Sequence, residues 1–105
     1  MAGGSRQMAF QLSEYEIRQT WGRLLVMYED KDAKSTIGEW VEAFEPDEKK
    51  RDRLKAVLVM STRCHEQGID PLAIRKIVCW RGDDGKPGMV EAVVDGRKAL
   101  GGNLA

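Results

Sequence analysis

Apolar positions in the first half of the chain recur at helical spacing. Ile17, Trp21, Leu24, Leu25 and Tyr28 are separated by four, three, one and three residues, which places them on one face of a helix. Ser13 precedes them, with Glu16 three residues on. This is a capping box, in which each side chain satisfies a free backbone donor at the helix start. Gly22, inside the stretch, costs about 1 kcal/mol relative to Ala. A charged turn over 29–34 follows. Thr36 and Glu39 then repeat the capping spacing, with Ser35 as an alternative cap. Ile37, Trp40, Val41 and Phe44 make a short apolar stripe that Pro46 ends, because the residue before a proline is pushed out of helical geometry. Trp21 and Trp40 read as core anchors joining these two helices.

Pro46-Asp47 opens a third helix, with Asp47 and Glu48 at the positive end of its dipole. Its basic first half, EKKRDRLK, leads into a ridge of Leu54, Val57, Leu58 and Ser61, with Val59 and Met60 on a second face. Residues 57–60 are apolar nearly all round, which implies burial on two sides, either inside the domain or in a dimer interface; the interface, at Val57, Leu58 and Met60, is the expectation. Gly68 supplies a left-handed cap. Asp70-Pro71 is an N-cap followed by proline at a first helical position, and predicts a fourth helix. That helix buries Ala73, Ile74, Ile77 and Val78 and turns Arg75, Lys76 and Arg81 away. Two helices about a tight Gly-containing corner at 68–71 resemble a helix-turn-helix.

Residues 82–88 hold three glycines and a proline and form a loop. No Gly-Lys-Ser/Thr follows a strand there, and calcium-loop acids at alternate positions are missing. Met89, Val90, Val93 and Arg97 share a face in a closing helix that Gly101-Gly102 would end. The alternative is a β-hairpin over 77–94, with strands on either side of the glycine-rich loop. The expected fold is therefore all-α, about five helices in one domain over 12–102, with a flexible leader at 1–11 and a frayed tail at 103–105.

Composition changes this picture little, and charge changes it more. The 105 residues are 42% hydrophobic and 32% charged, ordinary for a folded soluble domain. Formal net charge is zero, yet residues 1–47 hold five Lys and Arg against nine Asp and Glu, and residues 48–105 hold twelve against eight. A basic half of this kind points to a polyanion, and an acidic half to a basic partner. No apolar run approaches a membrane span and no secretory signal is present. Cys64 and Cys79 make no metal-ligand or CxxC spacing, which favours a reduced, cytoplasmic setting without metal or cofactor. The single histidine, His65, neighbours Cys64, where helical geometry points adjacent side chains apart, so a nucleophilic pair is not expected.

The stretch from about 49 to 102 carries a family resemblance. Gly68, Asp70, Ile74, Arg75, Lys76, Ile77 and Arg81, with Ala99, Leu100 and Gly101 near the end, are similar in order and spacing to the GapR-type nucleoid-associated family. The resemblance implies an all-helical oligomer whose long helix pairs between subunits and whose basic side chains line a clamp around double-stranded DNA. Carried over by position, the phosphate contacts would be Lys49, Lys50, Arg51, Arg53, Lys55, Arg75, Lys76 and Arg81. The sequence thus suggests a small non-enzymatic DNA-binding protein, nucleoid-associated or regulatory, acting as a homo-oligomer. The alternative is a protein-protein interaction module, an adaptor or inhibitor from a phage or mobile element, whose acidic N-terminal half covers a basic partner.

Overall fold

The computed structural model describes residues 7–29, 34, 36–95 and 98–104, leaving the side chains of Met27, Ile37 and Trp40 aside. The leader up to residue 6, most of the charged turn, the alternative cap Ser35, the anchoring role of Trp40, and Gly96-Arg97 lie outside the described residues. Strand β1 (Met8–Ser13) leads into helices α1 (Glu14–Glu29), α2 (Ile37–Phe44) and α3 (Glu48–Glu66). A single 3-10 turn over Pro71–Ala73 then feeds strands β2 (Ile74–Arg81), β3 (Pro87–Val94) and β4 (Lys98–Asn103). The four strands form one antiparallel sheet in the order β1-β2-β3-β4. Helices α1 and α3 pack on one face of it.

The helix signals are local, and they hold. Ser13 and Glu16 form their box: the Glu16 amide donates to Ser13 Oγ at 3.2 Å and the Ser13 amide to Glu16 Oε1 at 3.3 Å. Thr36 and Glu39 do the same at the start of α2. Asp47 caps α3 by accepting from the Lys49 and Lys50 amides. The helix ends in a Schellman motif: Gly68, at φ +68°, donates to the His65 carbonyl at 3.1 Å, and Ile69 donates to Cys64 at 2.8 Å.

The all-α expectation is overturned after Gly68. Asp70 does cap, accepting from the Leu72 amide at 2.9 Å, but the helix it starts lasts one 3-10 turn. Residues 74–81 then extend, and the helix-turn-helix-like corner is a helix-to-strand corner. From Ile77 onward the side chains alternate: Ile77 and Cys79 are fully buried under the helices, while Val78 and Trp80 turn to the opposite face. The closing helix is replaced in the same way by β3 and β4, with Val90, Ala92, Val94 and Leu100 buried. β2 and β3 make the hairpin of the alternative reading across the glycine-rich loop. Gly85 at φ +79° closes the turn, and the Gly82 amide reaches the Lys86 carbonyl at 2.8 Å. Residues 8–11, assigned above to the leader, belong to β1. At the other end Asn103 belongs to β4, and the Leu104 amide donates to the Gly88 carbonyl at 2.8 Å.

The core lies between α3 and the sheet. Leu54, Val57, Met60 and Cys64 recur every three or four residues along α3 and are buried against Ile77, Cys79, Val90, Ala92 and Leu100. α1 adds Ile17 and Leu24, with Trp21 partly buried beside them. Burying each such Leu, Ile or Met contributes about 1.5–3 kcal/mol. The one hydroxyl on this face, Ser61, donates back to the Val57 carbonyl at 2.7 Å and enters the core satisfied.

Candidate interaction surface

The fold separates the eight cations that the sequence groups together. Arg51 donates to the Glu45 and Pro46 carbonyls at 3.1 and 3.0 Å and fixes the corner between α2 and α3. Arg53 lies over the Phe10 ring at 5.1 Å and pairs with Glu16 at 3.4 Å. Lys55 pairs with Glu42 at 2.7 Å. Arg75 forks onto Asp95 at 2.7 and 2.5 Å and also holds Glu14. Arg81 donates to the Gly85 carbonyl at 2.8 Å and braces the hairpin. Among the described residues, only Lys49, Lys50 and Lys76 of the eight reach no acidic or carbonyl partner. Arg75 and Arg81 stand at opposite ends of the same strand, roughly 20 Å apart.

Lys49, Arg53 and Arg81 do converge, around a cleft of about 420 Å³ that Ala9, Phe10 and Pro87 also line. Glu48 and Asp52 stand in the same walls, so the cleft is of mixed charge. Burial, and then the neighbouring Glu48 charge, push the Asp52 carboxyl above its usual range.

The uneven charge of the two halves is consumed inside the molecule. Glu14, Glu16 and Glu42 of the acidic half meet Arg75, Arg53 and Lys55 of the basic half. Hydrogen bonds from Arg75 and then Arg18 hold the Glu14 carboxyl below its usual range, and Lys55 does the same for Glu42. Glu45 is lowered by Arg23 and then by the Asp47 amide, and Asp95 by Arg75. The fork to two acids raises the Arg75 guanidinium in turn. What reads in sequence as a polyanion footprint acts here to seat α1 and α2 on α3 and β2.

The proposed dimer residues have also been placed. Val57 and Met60 are fully buried in the core of the single chain, and Leu58 packs partly against it. An interface made of Val57 and Met60 would require that core to open.

The face of the sheet opposite the helices is a different matter. Directly paired residues share a face, and the register gives three rows across the strands. Ser13, Lys76, Val93 and Ala99 make one; Gln11, Val78, Glu91 and Gly101 the next; Met8, Trp80, Met89 and Asn103 the third. Met8, Met89 and Val93 are exposed at 51, 45 and 44%, around the half-buried Val78 and Trp80. The face is therefore apolar along its third row and along β2 and β3, with Lys76 and Glu91 as its charged members. Sequence reasoning missed it because Trp80 and Met89 become neighbours only through strand register. The signal that could have found it is the alternation from Ile77 to Trp80 together with Val90 to Val94. A second apolar cleft of about 320 Å³, lined by Gly22, Arg23, Val26 and Phe44, lies between α1 and α2.

The chemistry of the remaining groups is quiet. Cys64 is buried and the adjacent His65 is exposed. Burial raises both thiols, Cys64 and Cys79, away from the thiolate form a nucleophile needs. Among the described residues no three His, Cys, Asp or Glu side chains gather as a metal would require. No helix among them is long and apolar enough to cross a membrane. Comparison with protein-family models, curated proteins and solved structures finds no match to this chain.

Proposed function

We propose that the chain is a non-enzymatic protein-interaction domain that docks a partner protein on the open face of its sheet. The observation that carries this reading is the apolar row Met8, Trp80 and Met89, flanked by Val78 and Val93, on a sheet whose other face packs against the helices. A half-covered antiparallel sheet ordinarily shows polar side chains to water on its free face, and contiguous apolar surface there marks a contact site. The site differs from the acidic half suggested by composition, because those acids are already paired within the chain. A photo-cross-linking residue at Met89, compared with one at Thr62 on the exposed side of α3, tests the reading in producing cells. Protein adducts are expected from position 89 and not from position 62. Equal yields, or none at 89, would remove its basis.

Contact with double-stranded DNA has one observation in its favour, the convergence of Lys49, Arg53 and Arg81 at the mixed-charge cleft, with Lys50 nearby on α3. With so few free cations, such binding would be weak and strongly salt-dependent. A gel-shift titration at two salt concentrations, with Lys49 and Lys50 both changed to Ala, tests it. Binding by the doubly substituted chain equal to the parent excludes this cleft.

A further inference from the structure

We infer that Arg63 guards the sheet: its guanidinium closes the outer edge of β4, which would otherwise add the β4 edge of a second copy of the chain. This concerns the rim of the sheet and is independent of the docking role proposed for its open face. In the order β1-β2-β3-β4 each outer strand has one side without a neighbouring strand. The Leu104 amide donates inward to the Gly88 carbonyl at 2.8 Å. Successive residues of an antiparallel strand bond to alternate sides. Leu100 and Gly102 therefore turn their backbone groups to β3, and Ala99, Gly101 and Asn103 turn theirs outward. Arg63 Nε donates to the middle one of these, the Gly101 carbonyl, at 3.2 Å. Among the described residues no other side chain hydrogen-bonds to that outward row.

Helix α3 puts the guard in place. A Cβ built on Gly102 would lie 2.7 Å from Val59 Cγ1, so α3 runs along β4 at this point. Arg63 stands one turn beyond Val59 on the same side of the helix. Glu66 holds its Nη1 at 3.2 Å and so fixes the direction of the guanidinium. Lys98, exposed at the start of β4, adds a second cation to the strand. Cations along an edge are a common way for sheets to discourage pairing. A second copy arriving antiparallel about Gly101 would bring its own Arg63 and Lys98 to the same rim.

The β4 edge needs such a guard more than the opposite edge does. β4 pairs with β3 over all six of its residues without a register shift, so its outward groups are evenly spaced. Gly101 and Gly102 leave the middle of the strand without side chains on either face. The edge strand β1 is interrupted by the bulge between Met8 and Phe10. Its last residue, Ser13, has its amide held by Glu16 Oε1 at 3.3 Å. A regular, unshielded edge is a template for another strand. Removal of the Arg63 hydrogen bond, with the charge behind it, should favour pairing at β4 by on the order of tenfold or more.

Sedimentation velocity of the full chain, with amide hydrogen exchange followed by NMR, tests the guard. Arg63→Ala should associate further than the parent at the same concentration. In the associated form the amides of Ala99, Gly101 and Asn103 should exchange about tenfold more slowly or less, because a neighbouring strand now accepts from them. Adding Asn103→Pro removes one outward donor at a place where proline is tolerated, and should restore the parental sedimentation. Ile17→Val opens a small cavity in the core beside α1 and controls for lost stability; it should sediment as the parent does. Three results overturn the inference: Arg63→Ala sedimenting as the parent, association that persists with Asn103→Pro or leaves the three amides fast, or equal association by Ile17→Val. If the proline variant does not fold, exchange at the three amides in Arg63→Ala decides alone.

Discussion

Adding one methyl group at Gly102 tests the register on which the open face depends. The neighbouring glycines of β4 face opposite ways: Gly101 pairs with Glu91 on the open side, and Gly102 pairs with Val90 on the helix side. A Cβ built on Gly102 lies 2.7 Å from both Met60 Cε and Val59 Cγ1 and 3.6 Å from Val90 Cγ2. Carbon atoms settle at about 3.5–4.0 Å, so both neighbours must retreat by roughly 1 Å. Met60 meets the new methyl with the tip of its side chain, which is fully buried and must change rotamer within the core to give way. Val59 is β-branched and stiff about χ1 in a helix. Overpacking of this kind costs about 1–3 kcal/mol. Reduced freedom of the unfolded chain returns about 0.4–1 kcal/mol. Gly102→Ala should therefore lose roughly 1–2 kcal/mol, a fall in Tm on the order of 5–15 °C for a domain of this size. At Gly101 the nearest atom to a built Cβ is the Val90 carbonyl oxygen at 4.0 Å, so Gly101→Ala should be neutral or stabilising. Urea and thermal unfolding followed by circular dichroism decide it, and pairing Gly102→Ala with Val59→Ala should recover part of the loss through non-additive coupling. Equal stabilities, or the reverse order, would show that β4 presents the other face and would dismantle the rows described above.

Two further outcomes follow from local geometry and from charge. Gly68→Ala meets no atom within 4 Å, so its cost is the left-handed backbone alone, about 1–2 kcal/mol, read as a lower urea midpoint with an unchanged m-value; no loss would mean that the Schellman cap does not end α3. Acid should weaken the fold: Glu14, Glu42, Glu45 and Asp95 have lowered folded pKa values, so their contribution is complete above the ordinary carboxylate range and is lost as pH falls through the folded values, below about pH 4. Asp52, raised by burial, works in the opposite sense but alone. The urea midpoint should drop between pH 7 and pH 3, less steeply in Arg75→Gln; an equal midpoint would mean that the ion pairs contribute nothing.

Features that depend on a few consecutive residues were legible in the sequence. The boxes at Ser13 and Thr36, the Asp47 cap and the Gly68 stop all involve groups no more than about five residues apart. β2 was misread for a definable reason. A bulge between Ile74 and Lys76 leaves Arg75 unpaired, so Ile74 and Ile77 face the core at a spacing of three. Three is a helical interval, and with Asp70-Pro71 ahead of it the segment imitates an amphipathic helix start. β1 was hidden similarly, since the bulge between Met8 and Phe10 breaks the alternation of a strand only six residues long. Val57 and Met60 are buried, as the apolar run implies, but the surface that covers them is the chain's own sheet, with Gly102 against Met60. No count of apolar residues distinguishes an internal sheet from a second subunit.

The charge split shows how a correct compositional signal can point away from the molecular surface. An excess of cations in one half and of anions in the other fits two chains meeting, a nucleic acid, or two halves of one domain closing on each other. The pairs Glu14–Arg75, Glu16–Arg53 and Glu42–Lys55 select the last. Their partners are separated by 61, 37 and 13 residues, so closure brings the first helices onto the elements that follow. Exposed pairs of this kind are individually weak, and their role is to choose orientation: α1 and α2 can dock on α3 and β2 only where opposite charges meet. Once that matching is made, little net field remains to steer a polyanion to the surface. On the function proposed above, recognition rests instead on shape and apolar contact on the side of the sheet that the helices do not reach, where Trp80 and Met89 stand together. The ion pairs between elements lie on the helix side of this fold, and Trp80, Met89 and Val93 give the opposite face of the sheet its apolar character.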